Sequence, residues 1–125
     1  MTQQVINLKG MDHPQQSPLA CKVGPLLASG AISGKDTATG IMPADGEGQA
    51  RNVFINMKAV LAAAGMSIDD VAKLTIYIAD DKYRDAAIAE WAKCWPDPQK
   101  RPARRTLIAP LHAGSIQVEV IAFKM

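Results

Sequence analysis

Net charge, cysteine and long apolar runs are all scarce in this 125-residue chain. Fourteen basic residues against twelve acidic ones leave a formal charge of +2 at pH 7. Domains that track nucleic acid carry a marked basic excess, so this balance argues against a nucleic-acid partner. The two cysteines, Cys21 and Cys94, stand far apart and form no C-x-x-C or other metal-ligand spacing. No metal and no cofactor are expected, and both cysteines read as reduced thiols of a cytoplasmic protein. The N-terminal MTQQVINLKGMDHPQQSP lacks a basic segment followed by an apolar one, the mark of an export signal. No apolar stretch approaches the roughly 20 residues that span a bilayer, so no membrane partner is expected. Repeats and low-complexity tracts are missing as well.

What is present reads as one folded domain over residues 1–125. Apolar residues make up 48% and charged residues 21%, ordinary proportions for a packed chain able to bury one modest core. QVINL (4–8) reads as a first short strand. LACKVGPLLASGAIS (19–33) reads as two strands broken at Gly24-Pro25, and the Gly-, Pro- and Asp-rich stretch 34–48 as loop. Val53, Met57, Val60, Leu61 and Ala64 recur at helical spacing and predict a helix over about 48–64, stopped by Gly65. Ser67 and Asp70 have the spacing of a capping box. VAKLTIYIA (71–79) alternates Leu74, Ile76 and Ile78 with Lys73, Thr75 and Tyr77, a strand with one buried face. Residues 80–95 predict a second helix, with Ile88, Trp91, Ala92 and Trp95 in phase and Pro96 and Pro98 ending it. ARRTLIA (103–109) and SIQVEVIAFK (115–124) read as two strands joined by a five-residue loop, the pattern of a hairpin.

The expected fold class is therefore α+β, a mixed sheet in the order β-β-β-α-β-α-β-β with both helices on one face. The other face has no partner within the chain. Alternating Ile, Val and Leu cannot stay in water without leaving a large apolar patch, which predicts a homo-oligomer.

Four segments carry a family resemblance: LLASGAIS (26–33), QARNVFINMKAVLAAAGMSIDDVAKLTIYIAD (49–80), PARRTL (102–107) and SIQVEVIAF (115–123). Together they resemble the Rid proteins, also called the YjgF or endoribonuclease L-PSP-like family of reactive intermediate deaminases. The resemblance implies a chorismate-mutase-like fold, a homotrimer, and ligand sites in the clefts between subunits. It also implies hydrolytic deamination of imines or enamines, such as 2-iminobutanoate, to a keto acid and ammonia.

It further assigns roles to individual residues. Arg104, the arginine of PAR, corresponds to the anchor of the substrate carboxylate, which a guanidinium fork grips through two parallel hydrogen bonds. Ser29 and Gly30 correspond to the point where a hydroxyl and a backbone N–H meet the ligand. Thr106, on the same strand face as Arg104, corresponds to a main-chain contact to the carboxylate. Gln117 stands where deaminating relatives often carry a Glu that handles the attacking water. Its amide orients a water but is no general base near neutral pH. Leu19 stands where a Tyr often closes the pocket, and implies a more apolar lid. Glu119, about 6–7 Å further along the strand, reads as structural. Trp91 and Trp95 read as core, His112 as exposed, and Lys100, Arg101 and Arg105 as solvated charge, with Arg105 on the opposite face from Arg104. A trimeric module that binds small carboxylates without turnover is the alternative. A ribonuclease reading of the basic run finds no evident His/Lys acid–base pair.

Overall fold

The computed structural model describes residues 2–11 and 17–125, so part of the N-terminal stretch searched for an export signal lies outside the described residues. Seven strands and two α-helices follow one another. They are β1 (Gln3–Ile6), β2 (Ala20–Val23), β3 (Leu26–Ser29), β4 (Ile32–Ser33), α1 (Gly46–Ala63), β5 (Val71–Ile78), α2 (Arg84–Cys94), β6 (Ala103–Ile108) and β7 (Ile116–Phe123). The strands form one sheet in the order β1-β2-β3-β7-β5-β6, with β4 continuing beside β7. Residues 19–33 thus give three strands rather than two.

Local chemistry sets the element ends. Gly24 takes φ +56° in the two-residue turn between β2 and β3, a backbone that primed hairpin turns demand. The side chain of Asp45 accepts from the Gly48 N–H and starts α1 two residues before the apolar stripe predicts. Gly65, at φ +73°, ends it. Lys22 Nζ then donates to the Ala64 carbonyl at 3.2 Å and Lys124 Nζ to that of Gly65 at 3.1 Å, placing cations on the negative end of the helix. The Ser67–Asp70 capping box forms around a single 3-10 turn. Asp80 caps another 3-10 turn at Asp81–Tyr83, which delays α2 to Arg84.

One core holds the layers together. Val53, Met57, Val60 and Leu61 of α1 and Ala87 and Trp91 of α2 pack on Leu74, Ile76 and Ile78 of β5 and on Ile116, Val118 and Val120 of β7. Both helices therefore cover the same face of the sheet. Asn56, only 3% exposed, donates to the carbonyls of Ser33 and Lys35 at 2.9 Å and ties the loop after β4 to the helix.

The hairpin expected between the last two strands does not form. β5 lies between them, parallel to β6 and antiparallel to β7. The β5–α2–β6 crossover returns the chain parallel to β5, and the connecting loop then straddles the end of β5. Its two flanks are both fixed there, with Ala109 N–H donated to the Ile78 carbonyl and Ala79 N–H to that of Ser115, each at 2.9 Å. The apolar face of β5 is buried on both sides by this arrangement, whereas a β6–β7 hairpin would leave β5 at an edge. β6, with Arg104 and Arg105 exposed, takes the edge instead, where charged side chains are tolerated.

The register between β3 and β7 changes at Ser29 and Gly30. Ala28 pairs Ile121 and Ile32 pairs Val118, so four residues of one strand run against three of the other, which is a β-bulge. The Ser29 hydroxyl fills the gap. It accepts the Val120 N–H at 2.9 Å and donates to the Gly30 carbonyl at 2.9 Å.

Candidate functional site

The site is best built from β6 outward. Register places Arg104 beside Leu74, Thr106 beside Ile76 and Arg105 beside Thr75. Leu74 and Ile76 are fully buried under the helices, so Arg104 and Thr106 share the helix-side face and Arg105 points to the open face. The basic run is thereby split between two sides of the sheet. Because Ala109 N–H points toward β5, strand alternation turns the N–H groups of Arg104 and Thr106 to the free edge.

The Arg104 guanidinium lies 4.2 Å from the centroid of the Trp91 ring. A cation held over the ring face in this way has its guanidinium positioned by the indole. Among the described residues Arg104 has no ion-pair partner; the ion pairs there are Arg84–Asp81 and Lys93–Glu90. Trp91 and Trp95 are buried as core residues, their rings 6.3 Å apart. Sequence reasoning missed that Trp91 is also the platform for Arg104. No spacing along the chain signals it, because the contact joins α2 to a strand that begins nine residues after the helix ends. Arg101 is likewise more than solvated charge, since its Nε donates to the Trp95 carbonyl at 2.8 Å.

Leu19, Ser29 and Gly30 meet at the other side of the sheet. The Gly30 N–H donates to the Leu19 carbonyl at 2.9 Å, and the Leu19 N–H to the Asn7 side chain at 3.1 Å. Leu19 is 5% exposed and packs in the core, while the Ser29 hydroxyl serves the bulge. From β6 to β3 is three strand steps, or roughly 14 Å.

Gln117 faces the open side, opposite Tyr77 and Ser33. Its Nε2 donates to the Ala113 carbonyl at 3.1 Å, and Oε1 has no partner among the described residues. Arg104 and Gln117 thus lie on opposite faces of the same sheet. One chain brings together Arg104 with Thr106, and Leu19 with Ser29 and Gly30, but not these sets with each other or with Gln117. His112 is exposed in the straddling loop.

The open face carries two zones. Val5, Val23, Leu26, Ile121 and Phe123 are exposed and adjoin across β1, β2, β3 and β7. Toward β5 and β6 the face turns polar, with Tyr77, Glu119 and Arg105. A hydrogen bond to Glu119, then burial and the negative charge of Glu119, push the Tyr77 phenol above its ordinary 10.0, while Arg105 opposes the shift. A groove of about 780 Å³ lies elsewhere, between the start of α1 and α2, lined by Glu47, Arg51, Tyr83 and Glu90 among others. It holds none of the sequence-indicated residues. Among the described residues, no group of three or more His, Cys, Asp or Glu could hold a metal ion, and no helix is long and apolar enough to cross a membrane.

Comparison with known proteins gives a consistent result. Residues 16–124 match the family model described as Endoribonuclease L-PSP. A 42-residue segment is 48% identical to the TdcF protein of Escherichia coli, named for reactive intermediate deamination, and covers 34% of this chain and 33% of that one. A 55-residue segment is 38% identical to the 2-iminobutanoate/2-iminopropanoate deaminase of Escherichia coli, over 44% and 42% of the two chains. The matched segments thus span about a third to two fifths of the length of these relatives. Over whole chains, the fold superposes on RidA of the Antarctic bacterium Psychrobacter sp. PAMC 21119 with a TM-score of 0.87. Identity is 26%, and the match covers 97% of this chain and 99% of the other.

Proposed function

The chain belongs to the Endoribonuclease L-PSP family, and from that premise we propose that it hydrolyses the imines or enamines of small amino acids. Its fold is the chorismate-mutase-like fold of the RidA proteins it superposes on. The names of its relatives support a deaminase role. The observation that carries the reading is Arg104: a guanidinium on a free sheet edge, oriented by Trp91, beside outward N–H groups and without an ion-pair partner among the described residues. That arrangement receives a carboxylate.

In the proposed reaction Arg104 and the Thr106 main chain hold the carboxylate of a 2-imino acid. Water adds to the C=N carbon, its proton passes to nitrogen, and the C–N bond of the carbinolamine then breaks. Ammonia leaves and a 2-oxo acid remains. Anchoring and water placement suffice for much of the acceleration, because the C=N bond is already electrophilic. Gln117, through its Oε1, accepts a hydrogen bond from the attacking water and fixes its approach. The bulge at Ser29 and Gly30 presents the far wall, with Leu19 buried behind it.

These groups converge only between copies of the chain, with the β6 edge of one lying against the β2–β3 end and the Gln117 face of another. A homotrimer supplies that arrangement and covers Leu26, Ile121 and Phe123 of the open face. The test is semicarbazide trapping of imines made in situ by an amino-acid oxidase. The protein reduces trapping, and Arg104→Ala lowers kcat/KM by at least about 100-fold, the lower bound for two charge-assisted hydrogen bonds. Equal behaviour of the two proteins on every imine sinks the reading. The presence of Gln117 in place of a general base favours a second one, carboxylate binding without turnover. Saturable, Arg104-dependent binding with no faster imine loss is its signature.

A further inference from the structure

Arg104 shares its platform. Arg101, three residues earlier, places its guanidinium 4.6 Å from the centroid of the same Trp91 ring. Two like charges on one ring repel, yet neither forms an ion pair among the described residues. Arg101 is nonetheless fixed in place. Its Nε is committed to the Trp95 carbonyl at the end of α2, where the helix terminus favours a cation, and its terminal NH₂ groups have no partner among the described residues.

Two buried donors also lack a hydrogen-bond partner among the described residues: the Nε1–H of Trp91, which is 7% exposed, and the hydroxyl of Thr106, next along the face of Arg104. Buried polar atoms are rarely left unpaired unless a ligand or water completes them. A monocarboxylate would neutralise one guanidinium and leave the second cation unanswered. The combination asks for two negative charges.

Building on the imine-hydrolysis reading, we propose that the site is selective for a dianionic substrate, a 2-imino acid with a second carboxylate on its side chain. Arg104 holds the carboxylate next to the imine carbon, and Arg101 holds the distal one. The two guanidinium carbons are no farther apart than their two ring distances combined, a gap that a dicarboxylate of four or five carbons spans. Neutral and basic side chains are disfavoured there by the unpaired charge of Arg101.

The experiment measures kcat/KM of the whole protein on imines generated from aspartate or glutamate and from alanine or 2-aminobutyrate. In parallel, succinate and butyrate are titrated and followed by NMR. The dicarboxylic imine is expected to be preferred at least about tenfold, and succinate to bind at least about tenfold tighter, the lower bound for one charge-assisted contact. Arg101→Gln brings both ratios to within about threefold of unity. Should that variant fold poorly because Trp95 loses its cap, the wild-type ratios decide alone. Equal handling of both substrate classes, with turnover intact, overturns the dianion site and leaves imine hydrolysis standing. If no imine is accelerated, the hydrolysis reading falls and the succinate-to-butyrate ratio decides: tenfold preference upholds the dianion site, equality removes it.

Discussion

Replacing Ser29 by Ala tests the bulge that shapes the far wall of the site. The Ser29 hydroxyl takes the Val120 N–H at 2.9 Å, and Val120 is 1% exposed, so no water can substitute. Stranding one buried backbone donor costs about 1–3 kcal/mol, whereas the second bond, to the exposed Gly30 carbonyl, is readily replaced by solvent. The expected loss is therefore about 2 kcal/mol. For a chain of this length that corresponds to a fall in Tm of roughly 4–12 °C at fixed protein concentration. Urea unfolding should show a lower midpoint with an unchanged m value, because the surface exposed on unfolding stays the same. Hydrogen exchange locates the effect: the Val120 amide exchanges faster, while amides of α1 change only with global stability. A loss below about 0.5 kcal/mol together with an unchanged Val120 amide would refute the role given to this hydroxyl.

Other consequences can be checked separately. The Tyr77 phenol is pushed above its ordinary 10.0, chiefly by hydrogen bonding of its O–H to the Glu119 carboxylate, then by burial and by the negative charge of Glu119. A raised folded pKa means that this contribution to stability is complete below pH 10 and is lost as pH rises through the folded value. Absorbance titration near 295 nm should show the shift, and Glu119→Gln should return the phenol toward its ordinary range. Burial chiefly pushes the Cys94 thiol up, with Lys58 opposing and Glu90 assisting, and the side chain is 9% exposed. Cys94 should therefore react with a thiol reagent at pH 8 roughly tenfold or more slower than the half-buried Cys21, and Cys21→Ser should remove the fast phase. Gln117→Glu loses the donor to the Ala113 carbonyl and sets a carboxylate against it. The amides of residues 111–114 should exchange faster, and unchanged exchange would show that Gln117 does not hold this loop.

Much of the fold was legible because the core declares itself by period. The stripe Val53, Met57, Val60, Leu61 and the alternation Leu74, Ile76, Ile78 are buried as their spacing demands. Strand order was harder to read, since the short link from β6 to β7 is compatible with both a hairpin and a straddle. The deciding information is energetic and distributed: β5 has an entirely apolar inner face and gains more from two neighbours than β6, whose Arg104 and Arg105 suit an edge. The faces of Arg104, Arg105, Thr106 and Gln117 followed from alternation along single strands. Their mutual placement did not, because it depends on strand order. Arg104 over Trp91 and Arg101 on the Trp95 carbonyl join α2 to the connector that follows it, and no periodicity reports such contacts.

The position of β7 also has a consequence for how the chain is made. Its residues, Ile116–Phe123, are synthesised after every other strand yet sit between β3 and β5 in the middle of the sheet. Until they leave the ribosome, the nascent chain holds two separate partial sheets, β1-β2-β3 and β5-β6, each with an inner edge unpaired and apolar side chains uncovered. Such edges are prone to mispairing, so this domain completes its sheet only when its last strand arrives. A ribosome stalled before codon 116 would display a chain that proteases cut throughout. One stalled far enough downstream to free residue 123 would display the resistant domain.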